Sequence, residues 1–228
     1  MNRKKEVFVF IGPPGSGKGS LSSYCTTKLG WIQLSTGFLC RKNINENTEI
    51  GKQIDFAIKS GKLISDGLII NMVEEWLANN SSQFETTILD GFPRTVKQAE
   101  ALNLILNKKI KDCVLKVVRL FISDDAIIQR LAGRLICSNN DCQSIFSSLP
   151  LSALMPEDGM KCDNCQYELV RRSDDEINSV KERLKIYHSH EQVLLDYYRA
   201  YGLPINEVNV EKPLKDVFED FQFLLKNK

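Results

Sequence analysis

No apolar run in this 228-residue chain approaches the ~20 residues that a membrane-spanning helix needs. Nor is there an excess of charge of either sign. The 30 Lys and Arg stand against 29 Asp and Glu, for a net charge of +1. That balance excludes bulk attraction to nucleic acid or to an anionic membrane, while it permits a local cluster of cations. Histidine is scarce. The two present, His188 and His190, lie two apart in a helical stretch, point to different faces and are assigned no chemistry. Internal repeats and low-complexity tracts are absent. The start, Met1 to Lys5, has the charge of a signal peptide, but the apolar run behind it, Val7 to Ile11, is too short and passes into a glycine-rich loop. The expectation is a cytoplasmic monomer with neither membrane nor nucleic acid as partner.

What is present is ordinary for a globular protein: 43% apolar and 26% charged residues, in a length sufficient for one to two domains. Short apolar or β-branched runs predict strands at Val7–Ile11, Trp31–Leu34, Thr86–Leu89, Val114–Ile122 and Leu203–Val208. Helical patterns alternate with them: up to Leu29, where Gly30 ends the helix, from Ser35-Thr36-Gly37, over Asn47–Ser60, Asp66–Ala78 and Val96–Leu106, and from Ser123-Asp124-Asp125 to about Leu135. Two more follow, from a capping box at Ser173–Glu176 to about Ala200 and over Leu214–Leu225. Strand–helix alternation implies an α/β domain with a parallel sheet flanked by helices. Residues 137–170 break the rhythm and read as an insertion with little periodicity.

The first strand runs into Gly12-Pro13-Pro14-Gly15-Ser16-Gly17-Lys18-Gly19-Ser20 and then a helix. Glycines allow backbone conformations in which several N–H groups face one phosphate, the helix N-terminus adds a favourable dipole, and the lysine reaches the outer phosphates. A plain Gly/Pro turn needs none of the lysine, the three further glycines or the flanking strand. The order therefore predicts a P-loop.

The form G-x-P-G-x-G-K-G-[ST] resembles the loop of nucleoside monophosphate kinases, adenylate kinases above all. Further motifs share the resemblance: Ser35-Thr36-Gly37 with Arg41, Gly61-Lys62-Leu63-Ile64, Leu89-Asp90-Gly91-Phe92-Pro93-Arg94-Thr95 with Gln98, Arg130 with Arg134, Arg172-x-Asp174-Asp175 with Arg183, and Val208–Pro213. It spans essentially the whole chain and is similar to the long, zinc-bearing bacterial form.

The resemblance implies a P-loop core (residues 1–34, 65–132 and 171–228), a helical AMP-binding insertion (35–64) and a zinc-binding lid (133–170). It implies reversible transfer of the terminal phosphoryl group from Mg-ATP to AMP, with ATP, AMP and ADP as partners. Kinases for UMP or CMP, and a zinc-ribbon nucleotide-binding protein without catalysis, are the alternatives. ATP would meet Gly15, Ser16, Gly17, Lys18, Gly19, Ser20, Arg130, Arg134, Ile145, Phe146 and Lys212. AMP would meet Thr36, Arg41, Lys62, Leu63, Ile64, Gly91, Phe92, Pro93, Arg94, Gln98, Arg172 and Arg183. Lys18, Arg94, Arg130, Arg134, Arg172 and Arg183 would serve the transferred group and its flanks, and Asp90 would organise Mg2+ through water. Arg130 and Arg134, four apart, are expected on one helix face, and Arg172 and Arg183 on one side of the next helix if it starts near Arg172.

Seven cysteines include two close pairs, Cys137-x4-Cys142 and Cys162-x2-Cys165, nineteen residues apart. In a reducing compartment such spacing suits a tetrahedral zinc site, with free thiols or disulfides as the other readings. Around them stand Asp141, Glu157, Asp158, Asp163 and Glu168 against Lys161 alone, which opposes a nucleic-acid footprint. The resemblance departs at three places. The first knuckle holds four residues where the family usually has two. Ile145-Phe146 replaces a common Thr-Tyr, and Phe38 replaces an Asp after Ser-Thr-Gly, in the first turn of a helix that Thr36 is expected to cap.

Overall fold

The computed structural model describes residues 4–59, 64–83, 85–110, 112–150 and 152–226. The chain begins with β1 (Lys5–Ile11), whose side chains alternate between two buried faces. Val7, Val9 and Ile11 join one apolar cluster, and Phe8 and Phe10 another. A strand buried on both faces is what the continuous apolar run predicts. There follow α1 (Lys18–Leu29), β2 (Ile32–Ser35), α2 (Thr36–Asn45), α3 (Glu49–Lys59), α4 (Asp66–Asn80), β3 (Thr86–Asp90), α5 (Val96–Lys109), β4 (Cys113–Phe121) and α6 (Asp124–Ala132). The remainder is β5 (Arg134–Cys137), β6 (Ile145–Ser147), β7 (Leu169–Val170), α7 (Ile177–Ala200), β8 (Ile205–Asn209) and α8 (Leu214–Lys226).

The five long strands form one parallel sheet in the order β2-β3-β1-β4-β8. One face is covered by side chains of α2–α5 and α7, among them Met72, Val73, Leu102, Leu194 and Tyr198. The other is covered by α1 and α8. There Phe221 meets Phe8, Phe10 and Trp31 edge-on, at centroid distances of 5.8, 5.5 and 5.9 Å. The chain reverses its direction across the sheet at β1, whose neighbours are β3 and β4. The loops after β1 and β3 therefore leave the same carboxyl edge on either side of a crevice, the usual ligand position in such sheets. Phe10 lies opposite Asp90, and Asp90 opposite Ser35, so the glycine loop, the Asp90 loop and the start of α2 share that edge.

Four local expectations are corrected. Helix α6 ends at Ala132 rather than near Leu135. Gly133 caps it, and a Cβ at that position would lie 2.4 Å from Leu149 Cγ, so the chain passes closely there and turns. Arg134 then opens β5 and shares no helix face with Arg130. Second, Ser173–Glu176 forms no capping box. Ser173–Asp175 is a 3-10 turn, and α7 starts at Ile177 without a side-chain cap, so Arg172 and Arg183 do not share a helix. The Asp174 and Asp175 carboxylates are drawn instead to arginines. Third, the N-cap of α2 is Ser35, whose Oγ accepts from Phe38 N at 3.4 Å, and Thr36 is inside the first turn. Fourth, residues 137–170 are not irregular throughout. With Arg134–Ile136 they make a three-stranded antiparallel sheet, β6-β5-β7, around Leu135, Cys137, Phe146, Cys162 and Leu169.

Candidate functional site

The glycine loop rises from β1 with Gly15 and Gly17 at φ +84° and +88°, values that only glycine adopts freely. Gly17 is the N-cap of α1 and supplies no side-chain acceptor, so no cap side chain occupies the first N–H groups of the helix. Lys18 folds over the loop. Its Nζ donates to Gly12 O at 2.7 Å, Pro13 O at 2.8 Å and Ser16 Oγ at 3.3 Å. Burial pushes this ammonium down to about pKa 8, with the cations of Arg94, Arg183 and Arg134 adding to the effect and Asp90 opposing it. Asp90 ends β3 beside the loop. A Cβ on residue 19 would come 3.4 Å from Asp90 Oδ2 and 3.5 Å from Ile145 Cδ1, so the loop, Asp90 and strand β6 meet over Gly19.

The arginines converge on the same space from different elements. Asp175 Oδ2 accepts from Arg134 Nε at 2.7 Å, and Oδ1 accepts from Nη2 of the same fork. Arg183 Nη1 donates to Asp174 O at 2.7 Å and lies 3.1 Å from Asp174 Oδ2. Arg41 Nε donates to Gln143 Oε1 at 2.6 Å. Arg94 Nε donates to Gly91 O at 2.8 Å, and Arg130 Nη2 to Val210 O. Arg172 stands out, because its Nε is buried with no hydrogen-bond partner among the described residues. Its guanidinium is pushed down to about pKa 9 by burial first, then by Arg134 and Arg41. Burial likewise lowers Arg41, Arg130 and Arg183. Cations brought out of water beside one another, with an unsatisfied donor among them, form a site that an anion of several charges would stabilise.

On the α2 side of the crevice, Thr36 is buried and its Oγ1 donates to Gly91 O at 3.0 Å. Gln98 is also buried. Its Oε1 accepts from Arg94 N at 2.8 Å and its Nε2 donates to Asp66 Oδ1 at 2.7 Å. Phe92 is fully buried in the core and anchors the loop, whose Phe92–Pro93 peptide is cis. Ile64 packs against the core, whereas Lys62 and Leu63 lie outside the described residues. The structure does not bring every expected residue to the crevice by its side chain. Phe146 belongs to the apolar cluster of the small sheet, and Lys212 Nζ pairs with Asp220.

The chain matches the family model described as Adenylate kinase over residues 10–203. It is 36% identical to the adenylate kinase of Archaeoglobus fulgidus over 220 residues, covering 95% of this chain and 96% of that protein. It is 36% identical to that of Clostridium beijerinckii, covering 96% and 98%. With the Treponema denticola adenylate kinase it shares 38% identity, over 87% of this chain and 89% of that one.

The chain belongs to the adenylate kinase family.

In this family member the four paired cysteines also come together. Their Sγ atoms all lie within 4.8 Å of one another, with Cys137 and Cys165 at 3.3 Å and Cys142 and Cys162 at 3.7 Å. All four are free thiols, so the disulfide reading is set aside. A tetrahedral ion with metal–sulfur bonds of about 2.3 Å needs sulfurs about 3.8 Å apart, and this donor set fits such an ion with no position left for a substrate. Three polar contacts escaped sequence reasoning: Gln33 Nε2 to Asp90 Oδ2 at 3.4 Å, Asp66 to Gln98, and Gln143 to Arg41. Each joins residues distant in the chain, and no local pattern signals them. No helix among the described residues is long and apolar enough to cross a membrane.

Proposed function

We propose that the chain is an adenylate kinase that moves the terminal phosphoryl group of Mg-ATP reversibly to AMP, giving two ADP. The observation that carries this reading is the gathering of Arg94, Arg134 and Arg183 around Lys18, which burial first and then these cations depress, with Arg172 buried and its Nε without a partner among the described residues beside Arg134 and Arg41. Phosphoryl transfer asks for that arrangement, because its transition state spreads charge over oxygens between two in-line nucleotides. One AMP phosphate oxygen forms a bond to the γ-phosphorus as the bond from that phosphorus to the β,γ-bridging oxygen breaks. The electron pair leaves on the β-phosphate of ADP. The attacking oxygen is already ionised near neutral pH, so no general base is required.

In this reading the loop from Gly15 to Ser20 cradles the ATP phosphates and Arg130 stacks on adenine, which suits a flat guanidinium. Ile145 and Phe146 flank the nucleotide, and Lys212 stands in the loop beneath the base. Arg134, Arg172 and Arg183 neutralise the group in flight. Arg41, Arg94 and Arg172 hold the AMP phosphate. Thr36 and Gln98, with Gly91, Phe92, Pro93 and the Lys62–Leu63–Ile64 backbone, surround its base. Asp174 and Asp175 orient two of the arginines by the bonds described. Mg2+ supplied with ATP would offset charge on the outer phosphates, with Ser20 Oγ and Asp90 as its side-chain partners. Residues 35–64 form the AMP-binding part, residues 133–170 a lid over the loop, and the rest the core. Cys137, Cys142, Cys162 and Cys165 hold one structural Zn2+, which braces a lid whose apolar cluster is small. The enzyme works as a cytoplasmic monomer.

The test is a coupled assay of phosphoryl transfer from ATP to AMP, GMP, CMP and UMP. A site that hydrogen-bonds its substrate rejects bases that leave its groups unpaired, so kcat/KM for AMP is expected to exceed the others by at least about tenfold. Preference for CMP or UMP would assign the acceptor to another kinase of the same kind.

A further inference from the structure

Gln143 follows the metal-binding Cys142 and is 8% exposed. Its backbone sits at φ +45°, where glycine is free of strain and a side chain is not. The turn itself therefore has no need of a glutamine. The side chain is fixed at both ends. Nε2 donates to Asn140 O at 3.1 Å, and Oε1 accepts from Arg41 Nε at 2.6 Å. Two further contacts join this turn to α2. Asn45 Nδ2 donates to Asn140 Oδ1 at 2.6 Å, and Lys42 Nζ lies 3.1 Å from Asp141 Oδ1. Both of these are exposed, and exposed pairs contribute little. The Gln143 contact is the sheltered one. It occupies the inner nitrogen of the guanidinium. Among the described residues, no hydrogen-bond partner engages Nη1 or Nη2, so the outer edge of the fork is left for a phosphate.

We propose that Gln143 is a positioning residue for the acceptor nucleotide: from the cysteine knuckle of the lid it holds Arg41 Nε, so that both Nη groups face the acceptor phosphate. The inference rests on the reading of Arg41 as an acceptor-phosphate ligand. It also ties the two sides of the crevice together, because the residue that aims the acceptor-side cation sits in the turn between β5 and β6, and Ile145, which opens β6, lies beside Gly19 of the donor loop.

Gln143→Gly removes the side chain and suits the backbone. Gln143→Asn, also tolerant of positive φ, keeps an amide too short to reach Arg41. Each is expected to raise KM for AMP about tenfold, within what loss of one charge-assisted hydrogen bond allows, while KM for ATP stays within about twofold. Thermal stability and metal content should match wild type or, for glycine, exceed it. In an Arg41→Lys background, which lacks the planar fork, Gln143→Gly should change KM for AMP by less than about twofold. Equal losses in AMP and ATP, or a full loss persisting in the Arg41→Lys background, would mean that Gln143 merely braces the lid and would overturn the proposal. So would an unchanged KM for AMP in variants of an active enzyme. A wild-type chain unable to use AMP would overturn the acceptor reading itself, and this inference with it.

Discussion

The depressed Lys18 offers a test of the donor site that needs no substitution. Its ammonium is buried, is pressed by three arginines and titrates near 8 before nucleotide arrives. At pH 9 such a group keeps about a tenth of its charge, whereas a solvated lysine keeps nearly all of it. If the charged form binds ATP, kcat/KM for ATP should fall about tenfold between pH 7 and pH 9, with the slope of a single proton. The bound phosphates favour the ammonium and raise its pKa again, so kcat at saturating ATP should stay level over that range. The same linkage requires ATP binding at pH 9 to take up close to one proton. Calorimetry in buffers of different ionisation enthalpy measures that uptake. Asp90 is the neighbour that holds the lysine up, so Asp90→Asn should move the midpoint lower. Lys18→Met should reduce kcat/KM by a factor on the order of 10² and remove the proton uptake. A flat kcat/KM to pH 9.5 with no proton uptake would refute the account of Lys18 as a charge destabilised until phosphate arrives.

Two other outcomes are expected. Chain purified without chelator should carry about one zinc, and replacing Cys162 and Cys165 with Ser should lose both the metal and thermal stability. Elemental analysis showing no metal, or an equally stable variant, would contradict a structural role. Phe38 is the third residue of α2, half-buried, in a first turn without an acid. An acid there interacts with the helix dipole for about 0.3–1 kcal/mol, so Phe38→Asp should change KM for AMP by less than about fivefold. An improvement of several tens-fold would show instead that the natural acceptor site is impaired.

Residues near in sequence announced themselves where one local interaction decided them. The apolar Val7–Ile11 run, the glycines before Lys18 and the Gly30 stop of α1 each follow from backbone sterics or burial within a few residues, and the structure bears them out. Periodicity likewise located β3, β4, β8 and the long helices to within a few residues. It failed at Arg134, where the helical pattern continues but α6 ends at Ala132 with Gly133 as its cap, packed tightly against Leu149 from outside the segment. It failed again at Ser173–Glu176, where Asp174 and Asp175 inside the capping pattern are held by Arg183 and Arg134 and α7 starts only at Ile177.

The sequence by itself determined the parallel α/β architecture, the phosphate loop and the two cysteine pairs, because hydrophobic period, glycine placement and ligand spacing are local properties. Tertiary structure alone decided that the two cysteine pairs share one cluster, since hairpin pairing of β5 with β6 and β7 brings them together across the small sheet. It alone decided which arginines face one another, since Arg41, Arg94, Arg134, Arg172 and Arg183 come from separate segments. Their convergence opposes both desolvation and charge repulsion, so no short stretch of chain favours it. It persists because the fold holds Arg41 by the distant Gln143 amide and Arg134 by the Asp175 carboxylate, while Asp174 holds Arg183 and the Gly91 carbonyl holds Arg94, and it leaves Arg172 Nε without a partner among the described residues.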